Sequence, residues 1–337
     1  GAIKQYQQLI NIFPQSTYTP QAYYSLGWVY YEKGDYIKSR EKFSQLINNF
    51  PTHQLSEDAA FKLGETAYNL GEYDHTIQYF SKYVLKYPNS TRHPQAYFYI
   101  AESYYYLENY ITAVTYYAKA EDIAYDNKLI LMSRVSLGWG YLKLSKFALA
   151  QQYFESALSF SKEKNIRSDD VHLGQAHLFN AIKEYQKSLT AYNELITNFP
   201  KSQRITEAYL GKANVLYALG DYPQAIQTYQ KLMQKFLQQN LISPEIIEKT
   251  YFGLAWSYLK NGDIDSSIET FQQIKDKTKN RIVKISALTQ IGDAYQDTEQ
   301  YKKSIEIYDQ ILKKHPDSVY ADYVQYRQGV ALLKMNK

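Results

Sequence analysis

The sequence predicts an all-α solenoid of about eight complete helical hairpins, with a half repeat at each end. Three observations predict it. A block of about 37 residues recurs along the chain, and a fixed period of that size marks a repeat array. Each block carries two apolar stripes at the three- and four-residue spacing of a helix. Within each block a turn motif splits the stripes, and a proline often closes the second.

Residues Pro20 to Pro51 show the pattern most fully: P-QAYYSLGWVYY-EKGDY-IKSREKFSQLINNF-P. The first run aligns Tyr23, Leu26, Gly27 and Tyr30, and the second aligns Ser39, Phe43, Leu46 and Ile47. Between them Gly34-Asp35-Tyr36 supplies a residue that accepts left-handed backbone at a helix C-terminus. Pro51 ends the second run, because proline disfavours helical backbone in the residue before it.

The same punctuation recurs down the chain. Aromatic-proline or His-Pro pairs fall at Pro14, Pro51, Pro88, Pro200 and Pro316. Turns recur at Gly34, Gly71, Glu108, Ser145, Lys183, Gly220, Gly262 and Glu299. The hairpins accordingly start near residues 20, 57, 94, 131, 169, 206, 248 and 285. Residues 1–19 read as the second helix of a preceding repeat. Hairpins 1 to 6 occupy 20–236, an insertion and candidate hinge 237–247, hairpins 7 and 8 248–321, and a half repeat or capping helix 322–337. These half repeats lead us to expect a piece of a longer array, or a final helix acting as cap.

Composition narrows the class. Hydrophobic residues make up 45% of the chain, too many for a disordered segment. The 37 tyrosines need burial or a partner. The formal net charge of +4 is too small to suggest a polyanion partner. With no cysteine, thiolate chemistry and disulfides are excluded. No apolar run is long enough to span a bilayer, and residues 1–5 lack a signal-peptide pattern.

The chain resembles the tetratricopeptide-repeat family over nearly its whole length. The first hairpin carries Leu26, Gly27, Tyr30, Gly34, Phe43 and Pro51 at the family's marked places. The fourth carries Leu137, Gly138, Tyr141, Ala150, Phe154 and Ala157, and the third Ala101, Tyr104, Ala113, Tyr117 and Ala120. It departs from the family in its longer period and in a tyrosine or histidine where the first helix usually has tryptophan. The resemblance implies a right-handed superhelix whose first helices line a concave groove. The junctions Phe50-Pro51, Tyr87-Pro88-Asn89-Ser90 and His315-Pro316-Asp317-Ser318 are similar in style to bacterial cell-envelope members, the outer-membrane assembly lipoproteins and Tol-Pal coordinators. That likeness implies a periplasmic or outer-membrane-associated protein, with a cytoplasmic one as the alternative.

No catalytic constellation or cofactor motif is visible, so a non-catalytic protein is expected. Gly211-Lys212 lacks the flanking residues of a phosphate loop. His172 and His177 are five apart, whereas a helical zinc pair needs four. His172 is expected to pack in the place of the usual aromatic and His177 to face the groove. The basic run Lys275 to Lys284 has no interleaved aromatics, against a nucleic-acid contact.

By the resemblance, the second, fifth, ninth and twelfth positions of each hairpin face the groove. The ninth positions are Trp28, Glu65, Glu102, Trp139, His177, Asn214, Trp256 and Asp293, so every tryptophan of the chain falls there. Fifth and twelfth positions add Tyr24, Tyr31, Phe61, Tyr68, Phe98, Tyr105, Tyr217 and Phe252. Two readings of these rings stand: a partner-binding surface, or core buried by tight curvature. Glu65 and Glu102 among rings suit a ligand with apolar and cationic side chains. In the first three hairpins the groove positions hold Tyr24, Trp28, Phe61, Glu65, Phe98 and Glu102, not the Lys, Asn and Arg with which chaperone-tail members hold a C-terminal carboxylate. The expected function is a scaffold for a protein or peptide partner, with no cofactor, no nucleic acid and no membrane insertion, and with the oligomeric state open. The rivals are a regulatory segment of a larger enzyme or polysaccharide-export machine, and an RNA-binding helical repeat.

Overall fold

In the computed structural model, residues 1–236 and 242–335 are described. They form eighteen helices, and no strand occurs among them. A single helix, α1 (Ala2–Ile12), comes first. Hairpins 1 and 2 pair α2 (Thr19–Glu32) with α3 (Tyr36–Asn49) and α4 (Ser56–Asn69) with α5 (Tyr73–Lys86). Hairpins 3 and 4 pair α6 (His93–Tyr106) with α7 (Tyr110–Ile123) and α8 (Asn127–Lys143) with α9 (Phe147–Glu163). Hairpins 5 and 6 pair α10 (Asp169–Ala181) with α11 (Tyr185–Asn198) and α12 (Ile205–Ala218) with α13 (Tyr222–Phe236). Hairpins 7 and 8 pair α14 (Pro244–Lys260) with α15 (Ile264–Lys277) and α16 (Arg281–Asp297) with α17 (Tyr301–Lys314). Helix α18 (Ala321–Lys334) follows.

The helix ends follow local chemistry. The residue opening each of the eight turns has positive φ: Gly34, Gly71, Gly220 and Gly262, but also Glu108, Ser145, Lys183 and Glu299. A left-handed cap is thus imposed even where a side chain makes it costly, by roughly 1–2 kcal/mol. First helices entered after aromatic-proline or His-Pro junctions have 14 residues, as in α2, α4, α6, α12 and α18. Where Asp126, Ser243 or Asn280 caps the backbone amides instead, the helix starts a turn earlier and has 17. Hairpins 4, 7 and 8 therefore begin before residues 131, 248 and 285. Of the insertion expected at 237–247, residues 237–241 lie outside the described residues, and Pro244 already opens α14.

The helices group into two compact units, residues 1–174 and 175–337. In the first, α4 meets α6 and α6 meets α8. In the second, α12 meets α14 and α16 meets α18. Second helices show no comparable pairing with one another among the described residues, so each stack is tighter on its first-helix side.

One large side chain per second helix fills the core of each hairpin. Phe43, Phe80, Phe154, Phe271 and Tyr308 are fully enclosed, and Tyr117, Tyr192 and Tyr229 are 1% exposed. Small residues on the first helices make room for them. A Cβ at Gly27, Gly64 or Gly138 would lie 2.6–2.7 Å from the ring of Phe43, Phe80 or Phe154. Close approach, rather than turn geometry, is what these helical glycines provide.

Candidate functional site

The first-helix face of unit 1 carries Tyr24, Trp28, Tyr31, Phe61, Glu65, Tyr68, Phe98, Glu102, Tyr105 and Trp139. That of unit 2 carries His177, Asn214, Tyr217, Phe252 and Trp256. All three indoles are half-buried, neither sealed nor free. Each meets the second helix of its own hairpin: Trp139 sits edge-on to Phe154 at 5.9 Å, Trp256 edge-on to Phe271 at 6.0 Å, and Trp28 packs on the cluster around Phe43. Phe61 and Phe98 were expected at the ligand-facing surface; the structure buries them to 5% and 8% exposure. Phe61 packs 5.1 Å from Phe80, and Phe98 5.5 Å from Tyr117. They support the face from beneath. His172 is buried in place of the usual aromatic, while His177 is half-buried, its Nε2 3.5 Å from Glu207.

The ninth position and the second-helix ring are chemically coupled. Trp28, Trp139 and Trp256 share hairpins with Phe43, Phe154 and Phe271. Glu102, His177, Asn214 and Asp293 share hairpins with Tyr117, Tyr192, Tyr229 and Tyr308. A buried phenol needs a hydrogen-bond partner. Tyr117 donates to Glu102, Tyr229 to Asn214 at 2.5 Å, and Tyr308 to Asp293 at 2.6 Å. Burial pushes the tyrosine hydroxyls up: Tyr117 stands well above its ordinary value, Tyr229 and Tyr308 are also raised, and Tyr105 is pushed up to about 12. The exception to the pairing is Glu65 with Phe80. There Tyr99, from the next hairpin, stacks on Phe80 at 5.1 Å and donates to Glu65 at 3.1 Å.

The two acids expected to await a ligand are therefore engaged by the chain itself. Glu102 accepts from Tyr117, from Tyr68 at 3.2 Å and from Ser136 at 3.4 Å. Glu65 meets Lys62 at 2.5 Å. The Lys62 ammonium lies 4.3 Å over the Trp28 ring and 5.1 Å over Tyr31. A cation does sit among these rings, and it is the chain's own.

Lys62 occupies the sixth position of hairpin 2, which the sequence reading overlooked. Down the chain that position holds Ser25, Lys62, Tyr99, Ser136, Gly174, Gly211, Gly253 and Gln290. In unit 1, Lys62, Tyr99 and Ser136 reach across to the preceding hairpin. At Gly211 and Gly253 in unit 2, the hydroxyl of Tyr192 or Tyr229 lies 2.2–2.3 Å from where a Cβ would stand. Between hairpins 6 and 7 the result is an open recess of about 600 Å³. Its lining includes Asn214, Tyr217, Phe252 and Trp256, with Tyr229 and Gly253 and with Glu245, Glu248 and Lys249 at the entrance helix. Four expected groove residues thus converge on one cavity of the size that binds ligands.

Other candidate chemistry does not assemble. Among the described residues no group of three or more His, Cys, Asp and Glu is placed to hold a metal ion. Among them, too, no helix is long and apolar enough to cross a membrane. In the basic run, Lys277 donates to the Tyr251 hydroxyl at 2.6 Å and Arg281 pairs with Asp317 at 2.5 Å.

Stacked helical hairpins with a ring-bearing inner face define a helical-repeat protein of the solenoid class. The tetratricopeptide-repeat pattern matches residues 20–53, 58–90, 173–236, 249–277 and 286–318, together more than half of the sequence. The chain belongs to the tetratricopeptide-repeat family. Among solved structures it is similar to a tetratricopeptide repeat protein from Parabacteroides merdae, at 16% identity and TM-score 0.59, over 84% of this chain and 97% of that one. It is also similar to the apo form of RapI, at 12% identity and TM-score 0.61, over 94% and 98%. Yeast Tom70 matches at 17% identity and TM-score 0.57, over 93% of this chain and 61% of Tom70. No curated protein sequence matches the chain.

Proposed function

We propose that the chain is a non-catalytic scaffold that binds a peptide segment or protein partner along its first-helix faces. The observation that carries this is the recess between hairpins 6 and 7, where Tyr217, Phe252 and Trp256 present rings, with the Asn214 amide, around an open cavity. Aromatic side chains in such pockets are the residues that most often dominate interface energy. The half-buried Trp28 and Trp139 extend the same chemistry over unit 1. Binding of this kind needs no cofactor. The hydroxyl-bonded acids and paired cations on these faces favour a protein partner over a nucleic acid.

The proposed setting is a bacterial envelope or secretion assembly, on the periplasmic side or associated with the outer membrane. What supports it is the likeness in junction wording, Phe-Pro, Tyr-Pro-Asn-Ser and His-Pro-Asp-Ser. Trp256→Ala is expected to keep the helical circular-dichroism signal while weakening partner binding by roughly 2 kcal/mol. A sharply lowered melting point with unchanged binding would make the indole core and remove the proposal. Fractionation of source cells would place the protein, and recovery in the cytoplasm would refute the envelope setting.

A further inference from the structure

We infer that the recess between hairpins 6 and 7 takes the lysine or arginine side chain of a bound peptide, in the manner in which hairpin 2 seats its own Lys62. The inference rests on the peptide-binding reading above and adds the chemistry of the occupant.

The chain supplies its own template for this occupant. At the junction of hairpins 1 and 2, the sixth-position Lys62 lies over the rings of the ninth-position Trp28 and twelfth-position Tyr31, and meets the carboxylate of Glu65. At the junction of hairpins 6 and 7, the sixth position is Gly253, which sends no side chain across, and the Tyr229 hydroxyl lies beneath it as part of the recess lining. The twelfth-position tyrosine is retained as Tyr217; Asn214 replaces the indole of Trp28, and an indole comes instead from Trp256, at the position that Glu65 holds in hairpin 2. Aromatic faces attract cations through the ring quadrupole, and most strongly where water is excluded.

The charges around the recess favour the same sign of guest. Glu245, Glu248 and Lys249 line it, two carboxylates against one ammonium. Lys249 turns back along its helix to Glu245 at 2.6 Å, in an exposed pair. Glu248 is held from behind by the Thr278 hydroxyl at 2.9 Å. A carboxylate guest would meet the like charge of Glu248, and a purely apolar guest would bring it no counter-charge. A long basic side chain lays its methylenes on Phe252 and Trp256 and brings its head toward Glu248.

The test is a random-peptide phage library selected on the full chain and counter-selected on Trp256→Ala. A recovered peptide is then remade with its basic residue as norleucine. The inference expects recovered peptides to share a Lys or Arg, and norleucine to weaken binding roughly tenfold, between the values of an exposed and a desolvated cation–π contact. It also expects Glu248→Gln to weaken the parent peptide severalfold while leaving the norleucine peptide unchanged. Peptides that depend on Trp256 yet lack a basic residue, or tolerate norleucine, overturn this inference and leave the peptide-binding reading standing. Recovery of no peptide, either here or after counter-selection on Trp28→Ala instead, overturns both.

Discussion

The junction between hairpins 1 and 2 and that between hairpins 6 and 7 use equivalent backbone positions and reach opposite outcomes. In the first, Lys62 crosses to Trp28 and Tyr31 and closes the space. In the second, Gly253 contributes nothing, Tyr229 leans under it, and about 600 Å³ stays open. The lesson is that the sixth and ninth positions of adjacent first helices together set whether a junction is packed, as with Lys62 and Glu65, or receptive, as with Gly253 and Trp256. The second-helix ring underneath carries stability in both cases.

That comparison can be broken most directly through the shared part. Phe43→Ala is expected to cost roughly 3–5 kcal/mol in a denaturant melt, since Phe43 is fully enclosed. A loss below about 1 kcal/mol would show that the ring is dispensable and that the hairpins are held otherwise.

Adding a methyl at Gly253 tests the receptive junction. Gly253→Ala sets a Cβ 2.3 Å from the Tyr229 hydroxyl, with the ring carbon 2.4 Å away, so the phenol must move. The expected cost is about 1–3 kcal/mol, the usual range for overpacking. An unchanged melting point would mean that Tyr229 swings away freely and does not define the recess.

Emptying the packed junction is the converse experiment. Lys62→Ala should lose about 0.5–2 kcal/mol and change the Trp28 fluorescence, because the ammonium leaves the indole face. If emission is unmoved, Lys62 does not rest on that ring in solution, and the template for a basic guest falls with it.

The smallest expected effect is on alkaline stability, and it separates tyrosine environments. Burial raises Tyr83 and Tyr105 of unit 1 to about 12 from an ordinary 10.0. Their unfolded hydroxyls ionise first, so the contribution to stability is full below pH 10.0 and is lost as pH rises through about 12. Melting temperature should therefore decline over that window, with phenolate absorbance lagging behind that of the unfolded chain. A flat melting temperature would contradict the burial of these hydroxyls.

Much of the fold was legible because it depends on short-range pattern. The spacing of Leu26, Gly27, Tyr30 and Phe43, repeated in step, specifies a hairpin that cannot bury its apolar face alone. Helix starts were less legible: Asp126, Ser243 and Asn280 open α8, α14 and α16 a turn before the repeat register predicts. Of the candidate site, the half-buried indoles sit on first helices, and Asn214, Tyr217, Phe252 and Trp256 line one recess. Phe61 and Phe98 do not, because they pack down on Phe80 and Tyr117 of their own hairpins.

The sequence by itself determined the repeat, its helical hairpins, the second-helix rings and the small residues facing them, since each follows from spacing within one block. Only the tertiary structure decided that Glu65 and Glu102 are bonded internally, that Lys62 occupies its own aromatic site, and that Gly253 leaves a recess. These depend on side chains from different hairpins meeting across a junction. Such meetings are set by the angle and distance at which the hairpins stack, which no single block encodes.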